Sequence, residues 1–365
     1  MALIGALRLK TYERYLGREI YAATALVLAA FLMLFSFFDL IYEFESIGKG
    51  GYQLQHAVGF VLLSMPGRSY ELLPIAVLIG TLYALTQLAR HSEITVLRTS
   101  GAATRNFVIT LIKLGLGLAL ITFVVGEFVA PPAERAAQQL RLTAMSRLVA
   151  QEFRTGLWVK DDKAFVNARQ VTPEAELRGI RIYQFDQRFR LQSISEAESG
   201  EFKGGDLWLF RNVTRTTFEG DSARIEKMPE LNWKSGLNPD ILSVLLVNPE
   251  RMSIDRLYRY IGHLSANQQK TDRYEIALWR KLIYPLACLV MMVLALPFAY
   301  LQDRMGAVSI KVFAGIMLGV LFNMLNGLFG SLGILNQWPP FVSAITPSVL
   351  FVLTAAAMLW WSERR

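Results

Sequence analysis

At 365 residues the chain is long enough for two or three domains, and composition decides which kind. Hydrophobic residues make up 53%, charged residues only 19%, and the mean hydropathy is +0.33, whereas a soluble globular protein carries about a quarter charged residues. The net charge of +8 does not point to nucleic acid, because the Lys and Arg are spread over loops with no arginine-rich helix or basic–aromatic interleaving.

In chain order, six apolar runs read as membrane spans: 20–38, 72–89, 107–130, 282–300, 312–335 and 338–361. Each is long enough to cross roughly 30 Å of hydrocarbon. The first run is too long for a signal-peptide core and ends in Asp39 without a small-residue cleavage site, so it is expected to stay as an anchor. Only the third contains charges, Lys113 and Glu127, both towards its ends.

Loop charges set the expected orientation. With the N-terminus inside, the inner segments hold Arg8, Lys10, Arg14, Arg18, Arg90, Arg98, Arg105, Lys113, Arg304, Lys311, Arg364 and Arg365, and the short outer ones hold only Lys49 and Arg68. This imbalance places both termini in the cytoplasm and the long segment after span three on the far side, the periplasm of a Gram-negative cell.

That segment opens with short β-like runs at 157–160, 164–170, 180–185, 191–195, 207–212, 214–218 and 223–226. Turn signals separate them at Asp161-Asp162, Asp186-Gln187, Gly204-Gly205 and Gly220-Asp221. Short strands at this spacing predict an antiparallel sandwich or jelly roll. From 239 to 280 the pattern turns helical, with Ser253 as N-cap. The expected fold class is therefore a membrane α-helical protein, three spans plus three, with an inserted periplasmic antiparallel β domain. Its expected divisions are 1–134 (coupling segment at about 90–100), 135–270 and 271–365.

Enzyme signatures are missing: no HExxH, no GxSxG and no phosphate-binding Gly-rich loop ending in Lys-Ser/Thr occurs. His56, His91 and His263 fall in different regions and suggest no ligand cluster, and the lone Cys288 in an apolar run reads as packing. No metal site or cofactor is expected on this chain, and energised work would draw on a partner.

The loop after span two reads Arg90-His91-Ser92-Glu93-Ile94-Thr95-Val96-Leu97-Arg98-Thr99-Ser100-Gly101. Ser92 is placed to cap a short helix, Glu93 sits in its first turn and Gly101 ends it. Two readings stand: an ordinary positive-inside loop, or a coupling helix that docks on a cytoplasmic ATPase with Glu93 meeting a basic partner. Span five carries Gly315 and Gly319 in GxxxG spacing, followed by Asn323, Asn326, Gly327 and Gly330. This fits either intramolecular packing or a movable gate.

This coupling segment resembles that of the LptF/LptG permease family, membrane subunits of the lipopolysaccharide-exporting ABC transporter. Gly126-Glu127-Phe128-Val129-Ala130-Pro131, Gly156-Leu157-Trp158-Val159-Lys160-Asp161 and Trp338-Pro339-Pro340 with Pro347-Ser348 extend the likeness over essentially the whole chain. The Gly-Leu-Trp-x-Lys-Asp run and the proline spacing look more like the LptG branch. The resemblance implies pairing with an LptF-type permease on two LptB-type ATPases that hold ATP and Mg, and a periplasmic relay through LptC-like and LptA-like jelly rolls. It implies coupling through Arg90, Ser92, Glu93, Arg98 and Gly101. Spans one and five are expected to line the lipid cavity and its gates, with Phe31, Phe35 and Phe38 on one and Gly315, Gly319, Asn323 and Asn326 on the other. The family places lysines at the end of span one, where this chain has Asp39, Glu43 and Glu45. Contacts to lipid phosphates are therefore expected from Lys49, Arg68, Arg135 or Arg141, from the partner subunit, or from bridging divalent cations. Rival readings are a permease for another lipid or lipoprotein, and a membrane-anchored scaffold whose β domain only binds partners.

Overall fold

The computed structural model describes residues 10–49, 51–101, 103–145, 156–161, 164–171, 176–188, 190–219, 222–235, 248–300 and 308–363. The helices are α1 (Thr11–Phe44), α2 (Leu54–Arg90), α3 (Glu93–Thr99) and α4 (Thr104–Val124), which runs through a π-helical turn (Val125–Val129) into α5 (Ala130–Ala144). After the sheet come α6 (Ile254–Ala266), α7 (Asp272–Tyr300), α8 (Val308–Leu335) and α9 (Pro340–Glu363). Among the described residues six helical rods are long and apolar enough to span a membrane. They coincide with the six expected runs but overshoot them: the first starts at Thr11, nine residues before Ile20. Hydropathy marks only the part that meets hydrocarbon, whereas backbone hydrogen bonding carries a helix on into its polar flanks.

The chain divides into two compact units. The first comprises Met1–Asp39, Ser64–Ala133 and Asp272–Arg365. Its core is built by α2 (Val77, Leu78, Leu82, Leu85), α4 (Phe107, Leu111, Leu114) and α7 (Ala287, Met291, Met292, Leu294). Lipid tails are as apolar as leucine, so helices associate through close packing instead of hydrophobic expulsion. Glycines supply the closeness. A Cβ on Gly80 of α2 would lie 2.6 Å from the Cα and N of Thr24 in α1, and one on Gly115 of α4 would meet Leu289 of α7. Cys288 is fully buried, its Sγ 3.2 Å from Thr122 Oγ1, the packing role expected of it.

The second unit comprises Leu40–Leu63 and Glu134–Thr271. Its sheet holds six antiparallel strands in sequential order: β1 (Leu157–Asp161), β2 (Ala164–Val171), β3 (Leu177–Phe185), β4 (Leu191–Gly204), β5 (Leu207–Glu219) and β6 (Ser222–Lys234). Two of the seven expected strands are one. The runs at 207–212 and 214–218 form a single β5 that passes through Asn212 at φ 53°. The partner strand carries Pro229 there, which has no N–H to offer the ladder, and the paired positions step from Arg211↔Glu230 to Val213↔Met228. One irregular residue shifts the alternation by one, so Trp208, Phe210 and Val213 all reach the core. The β4–β5 hairpin turns at Gly204 and Gly205, both at positive φ, where the sequence marks it. The strands β4 and β6 run well past the short segments expected: in β4 polar positions alternate with buried ones, and β6 is exposed along most of its length, so neither extension carries an apolar signal of its own. The turn at Gly220-Asp221 and residues 239–247 of the expected helical return lie outside the described residues. The remainder of that return is broken between α6 and α7, and Ser253 stands at the N-cap of α6 without a side-chain capping bond.

The C-terminal turn of α6 meets β1. Lys160 Nζ donates to the Asn267 carbonyl at 2.9 Å, and Asn267 Nδ2 donates to the His263 carbonyl at 3.0 Å. Burial pulls the His263 imidazole below its ordinary value, with the charge of Asp161 opposing.

Two outcomes follow from this packing. Gly80→Ala forces two backbones apart and should destabilise the helical unit by about 1–3 kcal/mol. Reaction of the single buried Cys288 with a thiol dye during a thermal ramp in detergent reads this, and an unchanged midpoint would contradict the close approach. For His263 the folded pKa is depressed, so its contribution is fully present above the unfolded value of 6.5 and is lost as pH falls through the folded value. Hydrogen-exchange protection of α6 and β1 should fall as pH drops below that point. His263→Gln should flatten the dependence.

Candidate coupling helix and lipid-facing spans

The loop after span two folds as one seven-residue helix, α3. The turn that launches it uses Ser92 at φ 62°, a left-handed conformation that costs a non-glycine residue roughly 1–2 kcal/mol. Ser92 therefore holds the N-cap position, but its hydroxyl makes no capping bond; the helix is started by a backbone bond from Val96 N to Ser92 O at 3.0 Å. Gly101, at φ +95°, closes the other end, its N–H donating to the Arg98 carbonyl at 3.0 Å. One face of α3 is anchored: Ile94 is buried in the helical core and Leu97 packs against it. The opposite face shows Thr95, Val96, Arg98 and Thr99, and Arg90 is exposed just before the turn. Glu93 is half-buried at the first turn, where Tyr15 Oη of α1 reaches its carboxylate at 3.4 Å.

Three of the rods are thinly covered by their own chain. The apolar stretch of α2 is mostly buried, while those of α1, α8 and α9 hold few fully buried residues. On α1 the exposed side chains include Met33, Leu34, Phe35, Phe37 and Phe38; Phe31 is half-buried and sits edge-on to Phe35 with ring centroids 6.5 Å apart.

On α8 the structure separates two faces that the sequence reading merged. Gly315 and Gly319 face α2, against Leu82 and Ile75. Asn326 is buried, donating its amide to the Phe322 carbonyl at 3.1 Å, and its own carbonyl accepts from Arg280 of α7 at 2.7 Å. These three residues make the intramolecular seam. The open face carries Phe313, Met317, Val320, Met324 and Leu328, with Asn323 also exposed. The open face was missed because GxxxG and Asn stand out in an apolar run and Met and Val do not; helical spacing from Gly319 would have located it.

The acids at the end of span one are partnered. In the helical unit Asp39 takes both Arg68 Nη2 at 2.7 Å and Arg68 Nε at 3.0 Å, a two-pronged pair that Glu71 flanks at 3.3 Å. In the second unit Glu43, 3% exposed, accepts from Tyr52 Oη at 2.9 Å and faces Arg141 Nη1 at 3.5 Å, while Arg141 also lies over the Phe60 ring. Burial pushes the Tyr52 hydroxyl above its ordinary value, and the Glu43 carboxylate adds to this. Lys49, Glu45 and Arg135 are exposed. Glu127, projected by the π turn, faces Lys281 of α7 at 3.6 Å in a nearly closed setting. Among the described residues no group of His, Cys, Asp and Glu is arranged to hold a metal ion.

Comparison with known proteins agrees with this layout. The family model described as lipopolysaccharide export system permease LptF/LptG matches residues 14–361. The chain is similar to the lipopolysaccharide export system permease protein LptG of Haemophilus influenzae, 31% identical over 97% of this chain and 98% of that protein. The protein of the same name from Escherichia coli K12 is also 31% identical, with the same coverage. The chain belongs to the lipopolysaccharide export system permease LptF/LptG family.

Proposed function

We propose that this chain is one permease half of an ATP-driven transporter that lifts lipopolysaccharide out of the inner membrane and passes it to a periplasmic β bridge. Its family is that of lipopolysaccharide export permeases, whose members are non-catalytic subunits. The observation that carries the reading beyond membership is α3: a short helix pinned to the membrane core by Ile94 and presenting its other face outward, with Glu93 half-buried at its first turn. A helix held this way moves with the core when something pushes on it. In this account the pusher is a cytoplasmic ATPase of the LptB type, present in two copies and holding the ATP and Mg, with Glu93 meeting a basic side chain. Arg90, Ser92, Arg98 and Gly101 shape and flank the docking turn.

The bare faces of α1 and α8 support a partner permease of the LptF type, the two chains enclosing a cavity between them. Phe35, Phe38, Met317 and Met324 then line the lipid path, with Phe31 behind them. Gly315, Gly319 and Asn326 form the seam on which α8 shifts, and Asn323 stands on its open side. Both termini are cytoplasmic and the β domain periplasmic, in line with the Lys and Arg distribution. There the domain meets LptC-like and LptA-like partners. The divisions 1–134, 135–270 and 271–365 follow that topology.

Lipid phosphates are taken up by exchange. Arg68 and Arg141 are held by Asp39 and Glu43, and an anionic headgroup competes for the same guanidinium donors. Lys49 and Arg135 are exposed on the surface.

Co-expression with its genomic neighbours and purification in mild detergent tests the account. A stable complex with an ATPase is expected, with hydrolysis stimulated by lipopolysaccharide. Glu93→Lys, which reverses the charge at the docking turn, should abolish assembly or coupling. Absence of any associated ATPase, together with a silent Glu93→Lys, would favour a passive scaffold instead.

A further inference from the structure

The base of α1 makes two contacts that the lipid path does not need. Glu13 is 2% exposed, and its carboxylate accepts from Lys113 Nζ at 3.0 Å, from the Thr110 hydroxyl at 3.2 Å and from the Lys10 backbone N–H at 2.7 Å. Both Lys113 and Thr110 belong to α4. A carboxylate taken out of water costs several kcal/mol unless it is paired and hydrogen-bonded, so this constellation locks the base of α1 to α4. Half a turn further on, Tyr15 Oη donates to Glu93 Oε1 at 3.4 Å and so ties α1 to α3. Gly17 packs against Leu114, and Tyr21 Oη donates to the Leu114 carbonyl at 2.9 Å, completing a tight foot. Above it the apolar stretch of α1 holds few fully buried residues, meets α2 where Gly80 touches Thr24, and ends at the Asp39–Arg68 pair. The foot and Phe35 lie on opposite sides of the Thr24 contact, which is the arrangement of a lever whose far end is tied at Asp39.

We propose that Tyr15 is a positioning residue that passes displacement of α3 to α1, so that a push at the docking turn tilts the helix carrying Phe35 and Phe38. The inference rests on the reading of Glu93 as the coupling residue and adds the side chain through which it acts on the lipid path. The Tyr15–Glu93 bond is long and exposed, so it contributes little to folding, and its loss is felt in transmission instead. A phenol ring has only two side-chain torsions and transmits a shove with little slack.

The test uses the full chain with its ATPase and partner permease in proteoliposomes containing lipopolysaccharide, reading lipid released per ATP hydrolysed. Tyr15→Phe should leave the complex assembled and lower that ratio about 2- to 10-fold, the worth of one net hydrogen bond. Glu93→Gln should lower it at least as far, and the double variant should match Glu93→Gln alone, because Tyr15 acts only through that carboxylate. A wild-type ratio in Tyr15→Phe beside an impaired Glu93→Gln would overturn the inference and leave the coupling reading standing. Additive losses in the double variant would also overturn it. A wild-type ratio in Glu93→Gln would remove the coupling reading and this inference together. The foot is checked separately: exchanging the charges as Glu13→Lys with Lys113→Glu should recover coupling that either single change loses, and failure of that rescue counts against the lever.

Discussion

Close approach of helix backbones in a solvent that offers no hydrophobic push is the constraint on which the membrane part depends. Where α2 meets α1, Gly80 lets the two backbones touch at Thr24, and where α8 meets α2, Gly315 and Gly319 leave room for the side chains of Leu82 and Ile75. Each such contact commits one face of a helix to the interior, and the opposite face is left to lipid or to another protein. The seam thus decides what the open side of α8 displays, namely Phe313, Met317, Val320 and Met324. The apolar stretch of α2 is mostly buried and those of α1 and α8 keep open faces, so the helical unit has a covered centre and outer helices that each display one side.

Charge follows the same logic. The chain keeps several acids and bases at the ends of its spans, and the best buried of them are matched: Glu13 with Lys113, Glu43 with Arg141 and Tyr52, Glu127 with Lys281. Such pairs contribute little net stability against an apolar replacement, but removing one partner strands a charge, so they fix geometry more than they add energy. The Asp39–Arg68 pair is more open, about a quarter exposed on both sides. At the end of span one, where acids stand in place of the expected lysines, Asp39 and Glu43 are counter-ions to arginines on neighbouring segments, while Glu45 is exposed.

Much of the fold was legible because its signals are physically strong. Six apolar runs have no stable home but a membrane, and α3 was marked at both ends by Ser92 and Gly101. Even there Ser92 works by its backbone angle and not by its hydroxyl, which residue identity alone does not disclose. The break expected within β5 is a single irregular residue, Asn212 opposite Pro229, visible only once the strands are paired. The facing of α8 was ambiguous for a similar reason, since glycine spacing says that helices touch but not which ones. Glu13 and Tyr15 escaped notice because they precede the apolar run, in a stretch read only for its positive charge. An acid among Arg14, Arg18 and Lys10 was the available clue.

The claim that the open faces of α1 and α8 form the path of the lipid is tested most directly by photo-crosslinking in proteoliposomes. A photoreactive amino acid is placed at Phe35, Phe38, Met317 or Met324, and for comparison at Ile75 or Leu82 in the seam. The account predicts ATP-dependent crosslinks to lipopolysaccharide from the first set and none from the second. Crosslinks of equal yield from both sets, or from neither, would contradict it.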